Sequence, residues 1–231
     1  MRIQAMVFDM DGTLLHSLPD LAIAANETLT RLGYPTRTYD EILSFMGSGA
    51  QRLIECALPA GATPATCKQA FELWRSLYLQ SDYSHTAPFP GIIDTLRALR
   101  TAGVKTAVLS NKFDAGVQML TEKMFPGLFD MARGEIPPTP RKPAPTSLLA
   151  LLAELGVSPN EAAYVGDTNV DVRTARNAGV RAIGVSWGYA KTQPLSPATL
   201  DAYIHDPAEL LALATGDGIE ADGSRGATGV V

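Results

Sequence analysis

The stretch Ile3-Gln4-Ala5-Met6-Val7-Phe8-Asp9-Met10-Asp11-Gly12-Thr13 decides the architecture. Its first half is short, apolar and β-leaning, and it breaks into two aspartates and a glycine. This predicts a buried strand that ends in a polar turn. Everything from Pro88 onward then alternates helix and strand. Gly91 to Ala102 has helical spacing and stops at Gly103, and Lys105 to Leu109 is a strand followed by Ser110-Asn111-Lys112. Asp114 to Met124 is helical, and Phe129 to Ala132 is a short strand. Thr146 to Leu155 is a helix closed by Gly156, and Ala162 to Val165 is a strand running into Gly166-Asp167. Val170 to Ala178 is a helix closed by Gly179. Arg181 to Val185 and Leu200 to Ile204 are strands, and Pro207 to Leu213 is the final helix. Strands alternating with helices of this length imply an α/β fold, a Rossmann-like parallel sheet flanked by helices.

Between the first strand and Pro88 the texture differs. Leu18, Leu21, Ala22, Ala25, Leu29 and Leu32 recur at helical spacing. Ser17 followed three residues later by Asp20, with Pro19 between them, resembles a helix N-terminus with a capping box. Asp40–Phe45, Ala50–Leu58 and Pro64–Leu79 read as three further helices, and no strand is expected among them. The organisation expected is therefore a core of residues 1–16 and 84–215, an inserted α-helical domain of residues 17–83, and a flexible tail of residues 216–231. That tail is rich in Gly, Asp, Ser and Ala and has little to bury.

Composition narrows the function. With 46% apolar and 19% charged residues in 231, the chain can bury a core, and global disorder is excluded. The formal charge of −5, with no basic run, argues against a nucleic-acid or anionic-membrane binder. Two cysteines, Cys56 and Cys67, form no CxxC pair and no metal spacing with the three histidines. Met1–Phe8 lacks the apolar length of a signal peptide, and no stretch approaches a membrane span. A cytoplasmic, reduced chain is expected.

Ligands of open parallel sheets bind at the carboxyl ends of the strands. Four polar segments converge there: Asp9/Asp11, Ser110/Asn111, Lys142 in a loop stiffened by five prolines from Pro137 to Pro145, and Asp167/Asp171. Carboxylates gathered at one point repel unless a cation sits among them, and hard oxygen donors without Cys or His suit Mg²⁺. A lysine and a hydroxyl facing the same point hold an anion. A carboxylate at Asp9 is placed to attack phosphorus.

These segments resemble the haloacid dehalogenase superfamily, specifically its phosphatases. The resemblance is carried by DMDGT at Asp9–Thr13, Ser110 in VLSNK, Lys142 in RKPAP and GDTNVD at Gly166–Asp171, in that order along the whole chain except the tail. It implies Asp9 as the nucleophile and Asp11 as the acid that protonates the leaving oxygen, then as the base that activates water. It implies Mg²⁺ held by Asp9, the backbone carbonyl of Asp11 and Asp167, with Asp171 supporting the metal shell or orienting Lys142. Ser110 and Lys142 would bind the phosphoryl oxygens, with Asn111 assisting. The helical insertion would be the small cap that closes over the site and reads the leaving group.

Within the superfamily the sequence is most similar to bacterial phosphoglycolate phosphatases, through GTLLHSLPDL, the cap stretch LGYPTRTYDEILSFMGSGAQRLI, PFPG and YVGDTNVDVRTARNAGV. His16 departs from the aspartate common there. The cap match places Gly47, Ser48, Gly49 and Arg52 near the leaving group. The expected activity is Mg²⁺-dependent hydrolysis of a small anionic phosphate ester, 2-phosphoglycolate first, by a monomer or homodimer. The alternatives are a related capped phosphatase acting on pyrophosphate or sugar phosphates, and a non-catalytic binding module on the same fold.

Overall fold

The computed structural model describes residues 2–47, 49–189 and 195–216. Its central sheet is built from β1 (Ala5–Phe8), β4 (Lys105–Phe113), β5 (Met131–Glu135), β6 (Ala162–Gly166), β7 (Arg181–Val185) and β8 (Ala202–Ile204). These six strands lie in the order β5-β4-β1-β6-β7-β8, and every neighbouring pair is parallel. Side chains alternate across a strand, so β1 feeds two cores. Met6 and Phe8 pack with Leu96 and Leu99 of α5 (Ile92–Thr101), Val117 and Leu120 of α6 (Asp114–Met124), and Leu210 of α9 (Glu209–Thr215). Ala5 and Val7 pack with Leu148 and Leu151 of α7 (Thr146–Leu155) and Val172 and Ala175 of α8 (Asn169–Ala178). From β1 the chain moves outward on one side through β4 and β5, then returns to β6 on the other side of β1 and moves outward through β7 and β8. The crevice beyond the carboxyl end of β1 is therefore the topological switch point, where such sheets bind ligands.

Four helices form the insertion: α1 (Leu18–Arg31), α2 (Tyr39–Ser44), α3 (Ala50–Ala57) and α4 (Pro64–Gln80). Trp74 and Tyr78 of α4 are fully buried and stack on one another with ring centroids 5.1 Å apart. Both also meet Phe113 at the end of β4 edge-on, at 5.9 and 6.3 Å.

Three features depart from the sequence reading. The insertion is framed by an antiparallel ribbon, β2 (Leu15–His16) with β3 (Ala87–Pro88). Two-residue strands leave no periodic signal. Second, β4 runs on to Phe113, and its register against β5 shifts after Leu109. Beyond Val108 it has outrun its β1 partner, so Ser110, Asn111 and Lys112 project past the sheet edge. Such irregularities re-aim side chains beside active sites. Third, β5 starts at Met131 because Phe129 is turned into an aromatic cluster with Phe8 and Phe125. Residues 217–231, most of the expected tail, lie outside the described residues.

The Ser17–Asp20 capping box does not form. Asp20 is buried and reaches the segment leading into β3, where its Oδ2 accepts from Thr86 Oγ1 at 2.6 Å and from the His85 N–H at 3.2 Å. Asp20→Ala leaves both donors unsatisfied and is expected to cost about 2 kcal/mol, a melting-temperature drop of roughly 4–8 °C. Thermal unfolding of Asp20→Ala, Thr86→Val and the double variant checks this. The double variant should lose less than the sum of the singles, and strict additivity would refute the link.

Candidate active site

The turn after β1 aims Asp9 and Asp11 at the switch point. The Asp9 N–H donates to Val165 O at 2.9 Å, which locks it to the end of β6. Gly12 then reverses the chain at φ +91°. A Cβ there would sit 2.4 Å from Asp167 Oδ2, so only glycine lets the turn pass this carboxylate.

Asp9, Asp167 and Asp171 are all buried, and each offers an oxygen within 4.8 Å of the others. Asp167 follows β6. Its Oδ1 accepts from Thr13 Oγ1 at 3.1 Å and its Oδ2 from the Tyr189 N–H at 2.7 Å. Asp171, in the first turn of α8, accepts from Lys142 Nζ at 2.7 Å through Oδ1. Its Oδ2 takes the Thr168 N–H and hydroxyl at 3.0 and 2.6 Å. The same carboxylate thus completes a capping box and fixes a lysine.

Lys142 Nζ also donates to Tyr164 Oη at 2.8 Å and lies 2.9 Å from Asp9 Oδ1. The contact with Asp9 is an ion pair by distance, but it is off the direction of a hydrogen bond, so Asp9 Oδ1 is buried with no aligned donor. Burial works against the Lys142 ammonium, yet the charges of Asp171 and Asp9 more than offset it and hold its pKa well above the usual value. Burial pushes the Asp9 carboxyl up to about 6, against the opposing pull of Lys142. Burial, with the like charges of Asp171 and Asp9, raises Asp167 well above the usual carboxylate range.

Asp11 lines the same cavity as Asp9. Lys112 Nζ lies 3.1 Å from each of its oxygens, and Ser17 Oγ donates to Oδ1 at 2.6 Å. The Lys112 ammonium also sits 4.5 Å from the ring centroid of Tyr78 in α4. Four carboxylates therefore face two ammonium groups, and one divalent cation would balance them. A buried carboxylate oxygen that meets Lys142 by charge but has no aligned hydrogen bond, two carboxyls that burial resists ionising, and an all-oxygen donor set fit Mg²⁺. Asp9 and Asp167 would hold it. Asp171, whose Oδ1 lies 2.7 Å from the Lys142 ammonium, would orient that lysine.

A cavity of about 50 Å³ opens over these groups. Its floor includes Asp9, Asp11, Ser110, Lys112 and Lys142, and its roof includes Leu21, Met46 and Leu53 from the helical insertion. Gly47 and Gly49 line it, while Ser48 lies outside the described residues.

Arg52 and Asn111 have partners that the sequence did not indicate. Arg52 is exposed, pairs with Glu55 at 3.4 Å and does not line the cavity. Its neighbours Leu53 and Ile54 take the inward face of α3, which leaves Arg52 pointing away. Asn111 lines the cavity, but its amide is spent on the backbone. Its Oδ1 accepts the Lys142 N–H at 2.9 Å, and its Nδ2 donates to Lys142 O at 3.1 Å and to Gly47 O at 3.4 Å. Asn111 thereby holds the lysine loop in place.

Lys112 was missed, although it follows Ser110-Asn111 directly. The single available signal was its position past a strand end. Trp187 and Tyr189 were missed too, because two aromatics after a strand look like ordinary core.

The comparisons agree with this geometry. The family model described as haloacid dehalogenase-like hydrolase matches residues 6–185. The chain belongs to this family. Among curated relatives, it is 36% identical over 213 residues to a phosphoglycolate phosphatase of Pseudomonas putida KT2440, covering 89% of this chain and 78% of that one. It is 32% identical over 212 residues to a phosphoglycolate phosphatase of Aquifex aeolicus, covering 91% and 96%. Among solved structures, CbbY from Rhodobacter sphaeroides in complex with phosphate superposes with a TM-score of 0.71 at 26% identity, covering 90% and 96%. The chain is thus a haloacid dehalogenase-like hydrolase of the phosphatase type. No helix among its described residues is long and apolar enough to cross a membrane.

Proposed function

We propose that this hydrolase cleaves small phosphomonoesters through an aspartyl-phosphate formed on Asp9, with Mg²⁺ as cofactor and 2-phosphoglycolate as substrate. The observation that carries the reading is Asp9 itself, with a buried oxygen lacking an aligned hydrogen bond at the floor of a cavity beside a fixed lysine. Bound Mg²⁺ would keep Asp9 ionised and neutralise charge on the phosphoryl group.

The chain's own residues supply the rest. Asp9 attacks phosphorus, and Asp11, on the opposite side of the turn, gives a proton to the departing alkoxide. It then takes one from the water that hydrolyses the acyl phosphate. Lys142 and Ser110 receive the phosphoryl oxygens, and Asp171 and Asn111 keep Lys142 in place. Residues 17–83 act as a cap on a core of residues 1–16 and 84–215. Leu21, Met46 and Leu53 from this cap exclude water over the site.

The names of the relatives and the small cavity favour a leaving group of few atoms. The test is phosphate release from 2-phosphoglycolate, pyrophosphate and several sugar phosphates, with Mg²⁺ and with EDTA. A sugar bisphosphate belongs in the panel because a mutant of CbbY was also solved with xylulose-(1,5)bisphosphate. We expect Mg²⁺-dependent turnover, at least about tenfold higher in kcat/KM on 2-phosphoglycolate. Equal turnover across the panel would refute the substrate, and turnover in EDTA would refute the cofactor.

A further inference from the structure

Tyr189 lies just beyond β7, and its two ends serve different parts of the site. Its backbone N–H anchors it on Asp167 Oδ2 at 2.7 Å. Its phenol oxygen accepts two backbone donors, the N–H groups of Ser17 at 2.8 Å and Leu18 at 2.9 Å. The His16 ring nitrogen Nδ1 is 3.3 Å from the same oxygen. The ring is also pressed against the turn, since a Cβ on Gly12 would fall 2.8 Å from Tyr189 Cδ2. Two residues back, Trp187 Nε1 donates to Thr13 O at 3.0 Å and ties the same segment to the same turn.

Ser17 is the N-cap residue of α1, yet its side chain makes no capping bond. A serine in that position ordinarily turns its oxygen to the helix amides. Here Ser17 Oγ is given to Asp11 Oδ1 at 2.6 Å, and the tyrosine oxygen covers two backbone donors at the helix start. The Tyr189 oxygen takes the N–H groups of the N-cap residue and of the first helical residue, which a serine cap does not reach, and so holds the Ser17 backbone from which Oγ meets Asp11.

We propose that Tyr189 is a positioning residue for Asp11, acting through Ser17 at the start of α1. The inference rests on the reading of Asp11 as proton donor. Tyr189→Phe removes one oxygen and keeps both the ring against Gly12 and the N–H on Asp167. Without that oxygen, the N–H groups of Ser17 and Leu18 lose their acceptor, the start of α1 is no longer held, and the Ser17 hydroxyl loses its fixed place on Asp11.

The experiment compares kcat/KM for 2-phosphoglycolate, whose alkoxide needs a proton to leave, with p-nitrophenyl phosphate, whose phenolate does not. Asp11→Asn is the reference. In Tyr189→Phe the alkyl ester should fall about 10-fold or more while the aryl ester changes less than about 3-fold. Adding Ser17→Ala should cost no more than about 2-fold further, because both act on one carboxylate. In EDTA-treated protein, amide hydrogen exchange at Ser17 and Leu18 should be at least about tenfold faster in Tyr189→Phe. If Asp11→Asn itself fails to separate the two esters, the reading of Asp11 is lost. If it separates them and Tyr189→Phe slows both equally, slows neither, multiplies with Ser17→Ala or leaves exchange unchanged, the role of Tyr189 is overturned.

Discussion

Asp9→Asn is expected to lose phosphate release by about 10³-fold or more, since an amide cannot attack phosphorus, while the metal-free protein melts no lower than the wild type. The second half of this expectation comes from burial. Asp9 is 8% exposed, and its carboxyl is pushed up to about 6 from an ordinary 3.8. A carboxyl whose pKa is higher folded than unfolded costs nothing while both states are protonated. It removes stability as pH rises from about 4 through about 6, and the full penalty persists above that. The shift corresponds to roughly 3 kcal/mol at neutral pH without metal.

Asp9→Asn relieves this penalty. In EDTA the variant should therefore match or exceed wild type at pH 8, and that advantage should shrink towards pH 4. Added Mg²⁺ should raise the wild-type melting temperature and move the variant far less, because a ligand stabilises only the state that binds it. Calorimetry at both pH values, with and without Mg²⁺, reads all of this. A variant that melts several degrees below wild type in EDTA at pH 8 would mean that Asp9 is there for structure.

Apart from the two-residue strands β2 and β3, the order of strands and helices was legible because the longer elements show a period and end on a recognisable stop. Gly156 and Gly179 close α7 and α8 in the left-handed conformation, and α7 and β7 have the bounds that their patterns predict. The acidic convergence was legible for a topological reason. A parallel sheet delivers the carboxyl ends of its strands to one edge, so Asp9 and Asp167 meet whatever lies between them in sequence.

The parts that were not legible depend on which atom a side chain spends its hydrogen bonds on. Ser17 and Asp20 have the spacing of a capping box, yet one serves Asp11 and the other Thr86. Asn111 has the residue type of an anion binder, yet it is consumed by Lys142 and Gly47. Lys112 sits in a string that reads as a turn, and only the register shift of β4 carries it to Asp11. Tertiary partners set these roles, and neither propensity nor spacing records them.

Lys142→Met should produce the largest combined loss, in stability as well as turnover. The Lys142 ammonium is the cation held between Asp171 at 2.7 Å and Asp9 at 2.9 Å, with its side chain only 4% exposed. Methionine fills the space but leaves two buried carboxylates facing each other and Tyr164 without its donor. Breaking a buried pair from one side costs about 3–5 kcal/mol. Over a chain of this size that is a melting-temperature drop of roughly 6–20 °C. Turnover should fall by about 10³-fold, because the phosphoryl charge loses its fixed counter-ion. Lys142→Arg should rescue neither, since a planar fork does not fit where one nitrogen meets Asp171, Tyr164 and Asp9 at 2.7 to 2.9 Å.

The informative variant is the double, Lys142→Met with Asp171→Asn. Removing the stranded carboxylate should return a good part of the lost stability, because an ion pair replaced on both sides is far less costly than one broken on one side. It should return no activity, because the phosphoryl group still lacks the ammonium. Thermal melts and phosphate release on the same four proteins separate the two consequences of one charge. A double variant that melts no higher than Lys142→Met would show that Asp171 is not what Lys142 neutralises. One that regains turnover would show that the ammonium is not needed by the substrate.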